Sequence, residues 1–195
     1  SIYEALGLIF VIFSPIIFLI RIIMGKENPK RFLEKFCIYS KNLNIKESIW
    51  LHGSSVGEIL SVIPVIYELE KNKKIKKILL SSSTTSSALI FSRYKFKKTT
   101  HVYFPIDTNY LTNKFINYWK PKIAIFIDSE IWPNMFNNLE KNNIPIILIN
   151  GRITKKSFKR WIRFPSFAMK IFRKISLALP QNTETLKFLK ILGVK

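Results

Sequence analysis

The chain is poor in residues that mark several protein classes. It has one cysteine, Cys37, among 195 residues. No intrachain disulfide can form, and nothing points to an oxidising compartment. Histidine occurs only as His52 and His101, and no cluster has the spacing of zinc ligands. Acidic residues are few: 12 Asp and Glu against 32 Lys and Arg, a formal charge of +20. Such an excess calls for an anionic partner: nucleic acid, an acidic membrane surface or a phosphorylated substrate. The lysines are scattered rather than blocked, so a chain-wide bias towards Lys, Ile and Asn is the plainer alternative. No RNP, zinc-finger or homeodomain pattern is present, so nucleic acid is not the expected partner.

Hydrophobic residues, by contrast, make up 48% of the chain. "ALGLIFVIFSPIIFLIRIIM", from Ala5 to Met24, carries a single charge, Arg21. A spanning helix needs about 20 mainly apolar residues, and a proline is tolerated in one. A membrane-anchor helix is therefore expected over 1–25, with interfacial insertion as the alternative. No small-residue cleavage site follows, so a cleaved signal peptide is not expected. Lys26, Lys30 and Arg31 open a basic connecting segment over 26–47. By the positive-inside rule the bulk of the chain then lies on the cytoplasmic side.

From Ser48 to Lys195, strand-like and helix-like runs alternate. "SIWLHG", "IKKILLS", "HVYFP", "KIAIFID", "IPIILIN" and "SLALPQ" read as strands. Helical runs separate them, among them the long basic region "KKSFKRWIRFPSFAMKIFRK". Continuously apolar strands between helices predict a doubly wound parallel α/β sheet, Rossmann-like, covered on both faces. Its ligands should lie beyond the carboxyl ends of the strands. Polar residues gather there: His52–Glu58, Ser81–Thr85, Pro105–Asp107, Asp128–Asn134 and Asn150–Arg152.

The stretch "HGSSVGE", His52 to Glu58, holds two of the six glycines, Gly53 and Gly57. Four explanations fit it. Ser55-Val56-Gly57-Glu58 has capping-box spacing, in which Glu58 returns a bond to the Ser55 amide. A phosphate loop fits poorly, because no Lys-Ser/Thr pair follows and the glycines miss G-x-G-x-x-G spacing. Gly53-Ser54-Ser55-Val56-Gly57 matches G-x-S-x-G, which would make Ser55 a hydrolase nucleophile. Against that, no histidine lies downstream of both candidate acids, Asp107 and Asp128. Finally, Glu58 at a helix start facing a cleft could act as a general base on a substrate hydroxyl.

"HGSSVGE", "YFPID", "DSEIWPN", "LINGRITKKSFKRW" and "PQNTETLKFLKILG" occur in that order. With them the chain resembles the N-terminal half of the bacterial 3-deoxy-D-manno-octulosonic acid (Kdo) transferases of lipopolysaccharide core synthesis. The resemblance implies a two-domain GT-B glycosyltransferase. It would move Kdo from CMP-Kdo to the lipid A precursor (lipid IVA), with inversion and without a cofactor or metal. It implies an inner-membrane enzyme working on the cytoplasmic face. It places Glu58 on the general base of the S-x-G-E motif, in a site with Ser54, Ser55 and Gly57. Glu130 falls on the glutamate before Trp-Pro-Asn, and Arg152 on the arginine of Asn-x-Arg; both are expected to bind the acceptor. Gly53 stands where alanine is usual, and Asp128-Ser129 replaces the usual Glu-Thr. The second, donor-binding domain is expected to be absent from these residues, so CMP-Kdo would be held elsewhere. The basic region offers Arg160, Arg163 and Lys170 to the lipid phosphates, since arginine pairs bidentately with phosphate. The alternative from another class is a non-enzymatic, lipid A-binding membrane module.

Overall fold

Strands that are apolar at consecutive positions can be buried only in a sheet covered on both faces. The computed structural model describes residues 14, 16–39 and 47–194, and six strands pair in it, all parallel, with such apolar strands at the centre of the sheet. They are β1 (Ile49–His52), β2 (Ile78–Ser82), β3 (Thr99–Tyr103), β4 (Ile123–Ile127), β5 (Ile146–Gly151) and β6 (Ile175–Pro180), in the order β3-β2-β1-β4-β5-β6. Trp50 lies opposite Leu79 and Ala124, and His52 opposite Ser81 and Phe126.

Alternate side chains enter two cores. Leu51, Leu80 and Ile127 pack under α1 (Val56–Lys71) and α2 (Thr85–Ser92). Trp50, Leu79, Ala124 and Phe126 pack on the other face. That face is covered by α3 (Asn109–Trp119), α4 (Pro133–Lys141), α6 (Pro165–Phe172) and α7 (Thr183–Leu192). Between β5 and α6 runs a short helix, α5 (Lys155–Trp161). The basic region read as one helical stretch is therefore two helices. Pro165 has no N–H to donate and pushes the residue before it out of the helical region; Phe164 has φ −127° and ψ 69°.

Ser55, Thr84, Thr108, Thr154 and Asn182 each cap the helix they precede. α4 has no side-chain cap from Trp132, the residue before it. Its cap comes from the loop after β3. Asp107 Oδ1 accepts from the Met135 N–H at 2.8 Å and Oδ2 from the Asn134 N–H at 3.1 Å, while Asn134 Nδ2 donates to the Asp107 carbonyl at 2.7 Å. "YFPID" and "WPN" thus form one tertiary cap that fixes the approach to α4. Asp107→Ala is expected to cost about 1–3 kcal/mol, read as a lower urea midpoint. An unchanged midpoint would mean that the loop does not hold the helix.

Most of the predicted anchor, 1–13 and 15, lies outside the described residues. Residues 16–23 are helical, with Ile16, Leu19, Ile20 and Ile23 exposed. Among the described residues no helix is long and apolar enough to cross a membrane. The predicted connector, as far as residue 39, packs on the sheet edge as a 3-10 helix, Phe32–Phe36, and its flanks; 40–46 lie outside the described residues. Buried Glu27 accepts from Arg21 Nε at 2.9 Å and Lys35 Nζ at 2.7 Å. Arg31 grips Glu34 through Nε at 2.6 Å and Nη2 at 2.8 Å, and Nη2 also donates to the His101 carbonyl at 2.9 Å. Glu34 Oε2 accepts the Tyr103 N–H at 2.9 Å.

Candidate active site at the switch point

The order in which strands are added reverses between the parallel neighbours β1 and β4, so the loops leaving them diverge and open a crevice. β1 ends at His52 and continues through Gly53 and Ser54 into α1. β4 ends at Ile127 and continues through Asp128–Trp132 into α4. Gly53 lets the two approach. A Cβ there would lie 3.0 Å from the Glu58 Cβ and 3.3 Å from Ile127 Cδ1.

Three donors converge on one oxygen of Glu130. Oε2 accepts from Ser54 Oγ at 2.6 Å and Trp132 Nε1 at 2.8 Å, and lies 3.1 Å from His52 Nε2. An ionised carboxylate only accepts, so Nε2 carries the proton of that bond. The other ring nitrogen, Nδ1, is 2.9 Å from Ser81 Oγ, which in turn accepts from Trp50 Nε1 at 2.8 Å. The His52 ring is fully buried and stacks on Phe104 with centroids 3.9 Å apart. A chain of bonds thus runs from the core, through Trp50, Ser81 and His52, to the carboxylate.

Ser54 joins this group to Glu58. Its hydroxyl serves Glu130, while its backbone N–H donates to Glu58 Oε2 at 2.7 Å. Ser55 Oγ donates to Glu58 Oε1 at 2.7 Å and accepts the Glu58 N–H at 3.3 Å. The predicted capping box is therefore displaced: Glu58 returns its bond to the amide of Ser54, not Ser55. The chain turns into α1 with Ser55 extended, φ −104° and ψ 166°, and the amide one residue earlier is the one the carboxylate meets. The fully reciprocal box lies instead at Thr84 and Ser87 of α2.

The two carboxylates are driven apart in acidity. Burial raises the Glu58 pKa; the Glu130 charge adds to this, and the bonds from Ser55 and Ser54 and the nearby His52 oppose it without cancelling it. Burial also pushes Glu130 up, but the His52 bond and charge, with the bonds from Ser54 and Trp132, outweigh it and hold Glu130 below the usual carboxylate value. The two neighbouring carboxyls are thus shifted in opposite directions, Glu58 up and Glu130 down.

The predicted residues sort unevenly around this pair. Ser54, Ser55, Glu58 and Glu130 come together, and Gly57 lies exposed in the first turn of α1. Arg152 is exposed; its backbone N–H donates to the Asp128 carbonyl at 3.2 Å, which ties the loop after β5 to the loop after β4. Arg160 and Arg163 line one cleft with Lys155, Lys156 and Lys159, whereas Lys170 lies on α6 outside it. Ser55 has no histidine base: His52 is engaged by Ser81 and Glu130, and His101 by Arg31 and Ser82. Burial, with the Arg31 charge added, lowers the His101 pKa to about 3. Among the described residues no group of three His, Cys, Asp or Glu side chains could hold a metal ion.

His52, Ser81 and Trp132 fall within the polar stretches expected at the ligand edge of the sheet, but the sequence assigns them no individual role. The available signal was a polar residue ending an apolar strand, at His52 in "IWLH" and at Ser81 in "ILLSS".

A parallel sheet in this order, with two carboxylates drawn together at its switch point, makes the chain a Rossmann-like α/β domain with a candidate site there. Comparison with known proteins narrows this. The profile of the family described as 3-Deoxy-D-manno-octulosonic-acid transferase (kdotransferase) matches residues 30–195. A 3-deoxy-D-manno-octulosonic acid transferase of Rickettsia bellii is 34% identical over 179 residues, 92% of this chain and 43% of that protein. Its counterpart from Rickettsia prowazekii is 36% identical over 146 residues, 75% of this chain and 32% of that protein. A probable mitochondrial 3-deoxy-D-manno-octulosonic acid transferase of Arabidopsis thaliana is 32% identical over 166 residues, 84% of this chain and 37% of that protein. The chain belongs to the Kdo transferase family. It spans less than half the length of these relatives.

Proposed function

We propose that this chain is the acceptor-handling half of a GT-B Kdo transferase that moves Kdo from CMP-Kdo to the lipid A precursor with inversion. The observation that carries the reading is the pair Glu58 and Glu130, held at the switch point with opposite acidities. Glu58 takes the proton from an acceptor hydroxyl. The hydroxyl oxygen attacks the anomeric carbon of Kdo, the bond from that carbon to the phosphate oxygen breaks, and CMP leaves with the bonding pair. Glu130 remains ionised and orients Ser54, whose amide in turn orients Glu58. Arg152, at the rim, pairs with an anionic group of the acceptor. The step as written needs no metal and no cofactor. The N-terminal segment holds the domain on the cytoplasmic face of the inner membrane, and the exposed apolar residues of 16–23 support that placement.

The test is to continue the chain with the C-terminal half of a relative and supply CMP-Kdo and lipid IVA. Kdo-bearing lipid is expected from the completed enzyme. The 195-residue stretch alone should give none, and calorimetry should show no CMP binding to it. A folded chimera without product, or turnover by the stretch alone, would overturn this division of labour.

A further inference from the structure

The chain of bonds behind Glu130 has a direction. An indole nitrogen only donates, so Trp50 Nε1 gives its hydrogen to Ser81 Oγ. Ser81 Oγ then has one hydrogen of its own to place, and among the described residues the acceptor it meets is His52 Nδ1, at 2.9 Å. A hydrogen on Nδ1 would reverse that bond. Ser81 Oγ would face two donors, and its own hydrogen would be stranded where Trp50, His52 and Ser81 are all fully buried. The Ser81 carbonyl is a longer contact of Nδ1, at 3.2 Å, and already accepts the Gly53 N–H at 3.1 Å. Phe104, stacked on the ring, and Phe126, edge-on at 5.6 Å, hold the imidazole in this orientation.

We infer that Ser81 and Trp50 are positioning residues: they keep Nδ1 of His52 bare, so that the hydrogen of this ring points from Nε2 at Glu130. The bond made at one ring nitrogen sets what the other nitrogen carries. With a bare Nε2, the Glu130 carboxylate would face a lone pair and would have to bind a proton itself. An uncharged Glu130 grips the Ser54 hydroxyl less firmly, and the Ser54 amide is what holds Glu58. Ser81 and Trp50 touch neither carboxylate and act through His52. This deepens the transfer reading and rests on it only for the rate; where the hydrogen sits is a property of the chain itself.

The first measurement is the ring 15N spectrum of the whole chain at neutral pH, in which two histidines give two sets of signals. Wild type should show His52 with a bare Nδ1 and a protonated Nε2. Ser81→Ala should put a hydrogen on Nδ1, because a carbonyl is then the acceptor left beside it. Ser81→Thr keeps the hydroxyl and should restore the wild-type pattern. A hydrogen on Nδ1 in wild type would overturn the inference, whether or not Ser81→Ala folds. So would a bare Nδ1 in folded Ser81→Ala. The second measurement is the rate of the completed enzyme. Ser81→Ala should lower kcat about 10–100-fold, the scale seen when a partner that orients a working imidazole is removed. KM for CMP-Kdo should be unchanged, and Ser81→Thr should recover most of kcat. Full turnover by Ser81→Ala with its ring altered would reduce the chain of bonds to packing, and equal losses in both variants would do the same. The expected spectra without transfer by the completed wild-type enzyme would sink the transfer reading and leave the placement of the hydrogen standing.

Discussion

Glu58→Gln is expected to slow Kdo transfer by the completed enzyme about 10²–10⁴-fold, the usual share of a general base, with CMP-Kdo binding unaffected. Gln keeps the local bonds. Its carbonyl can accept the Ser54 N–H, and its amide can donate to Ser55 Oγ, which now donates to Glu58. It cannot take a proton. The folded state raises the Glu58 pKa, so ionising this group works against folding: stability is lost as pH rises through the folded pKa. Glu58→Gln removes that loss, so the variant should unfold in urea at the wild-type concentration or slightly above it at neutral pH. The wild-type rate should fall on the acid side as Glu58 becomes protonated, starting at a higher pH than an ordinary glutamate would require. Near-full turnover by Glu58→Gln would reduce Glu58 to a cap and move the search for a base to Glu130.

Glu130→Ala should be the most damaging single change to stability in the site, at about 2–4 kcal/mol. Three donors lose their shared acceptor. Ser54 can turn to Ser83 Oγ, 2.9 Å away, and Trp132 is only partly buried. His52 has no such escape, because its ring is fully buried. The folded Glu130 pKa is depressed, so its contribution is present above the unfolded value, about 4.3, and is lost as pH falls through the folded pKa. Urea unfolding across that acid range should show wild type losing stability that Glu130→Ala never had. Parallel curves for the two proteins would mean that Glu130 is a spectator.

The centre of the sheet was legible because both its faces are buried there. "IWLH", "ILLSS" and "IAIFI" carry apolar residues at successive positions in runs too short for a helix. Pro165 was legible too, yet the basic run around it still reads as helical by periodicity; only the conformation of Phe164 shows the break. The "HGSSVGE" stretch announced Ser55 and Glu58. It could not announce which amide Glu58 would choose, because that depends on how tightly β1 turns into α1. The partners of Glu130 come from β1, the loop after it and the loop after β4, at separations of 78 and 76 residues for His52 and Ser54. Such contacts belong to the sheet order, which no local spacing encodes. The Asp107 cap is the same kind of fact, a helix start served from 28 residues upstream.

β3 is the outermost strand on its side of the sheet. A bare strand edge offers its unpaired N–H and C=O groups to any passing chain and invites polymerisation. Here the outward carbonyl of His101 is taken by Arg31 and the outward N–H of Tyr103 by Glu34. A bonded pair of opposite charges therefore occupies the place where another strand would add. The 3-10 helix Phe32–Phe36 and the arginine before it are in this sense a guard against self-association. A shortened chain beginning at Ser48 would keep the whole sheet and both carboxylates, but it would expose the edge that Arg31 and Glu34 close.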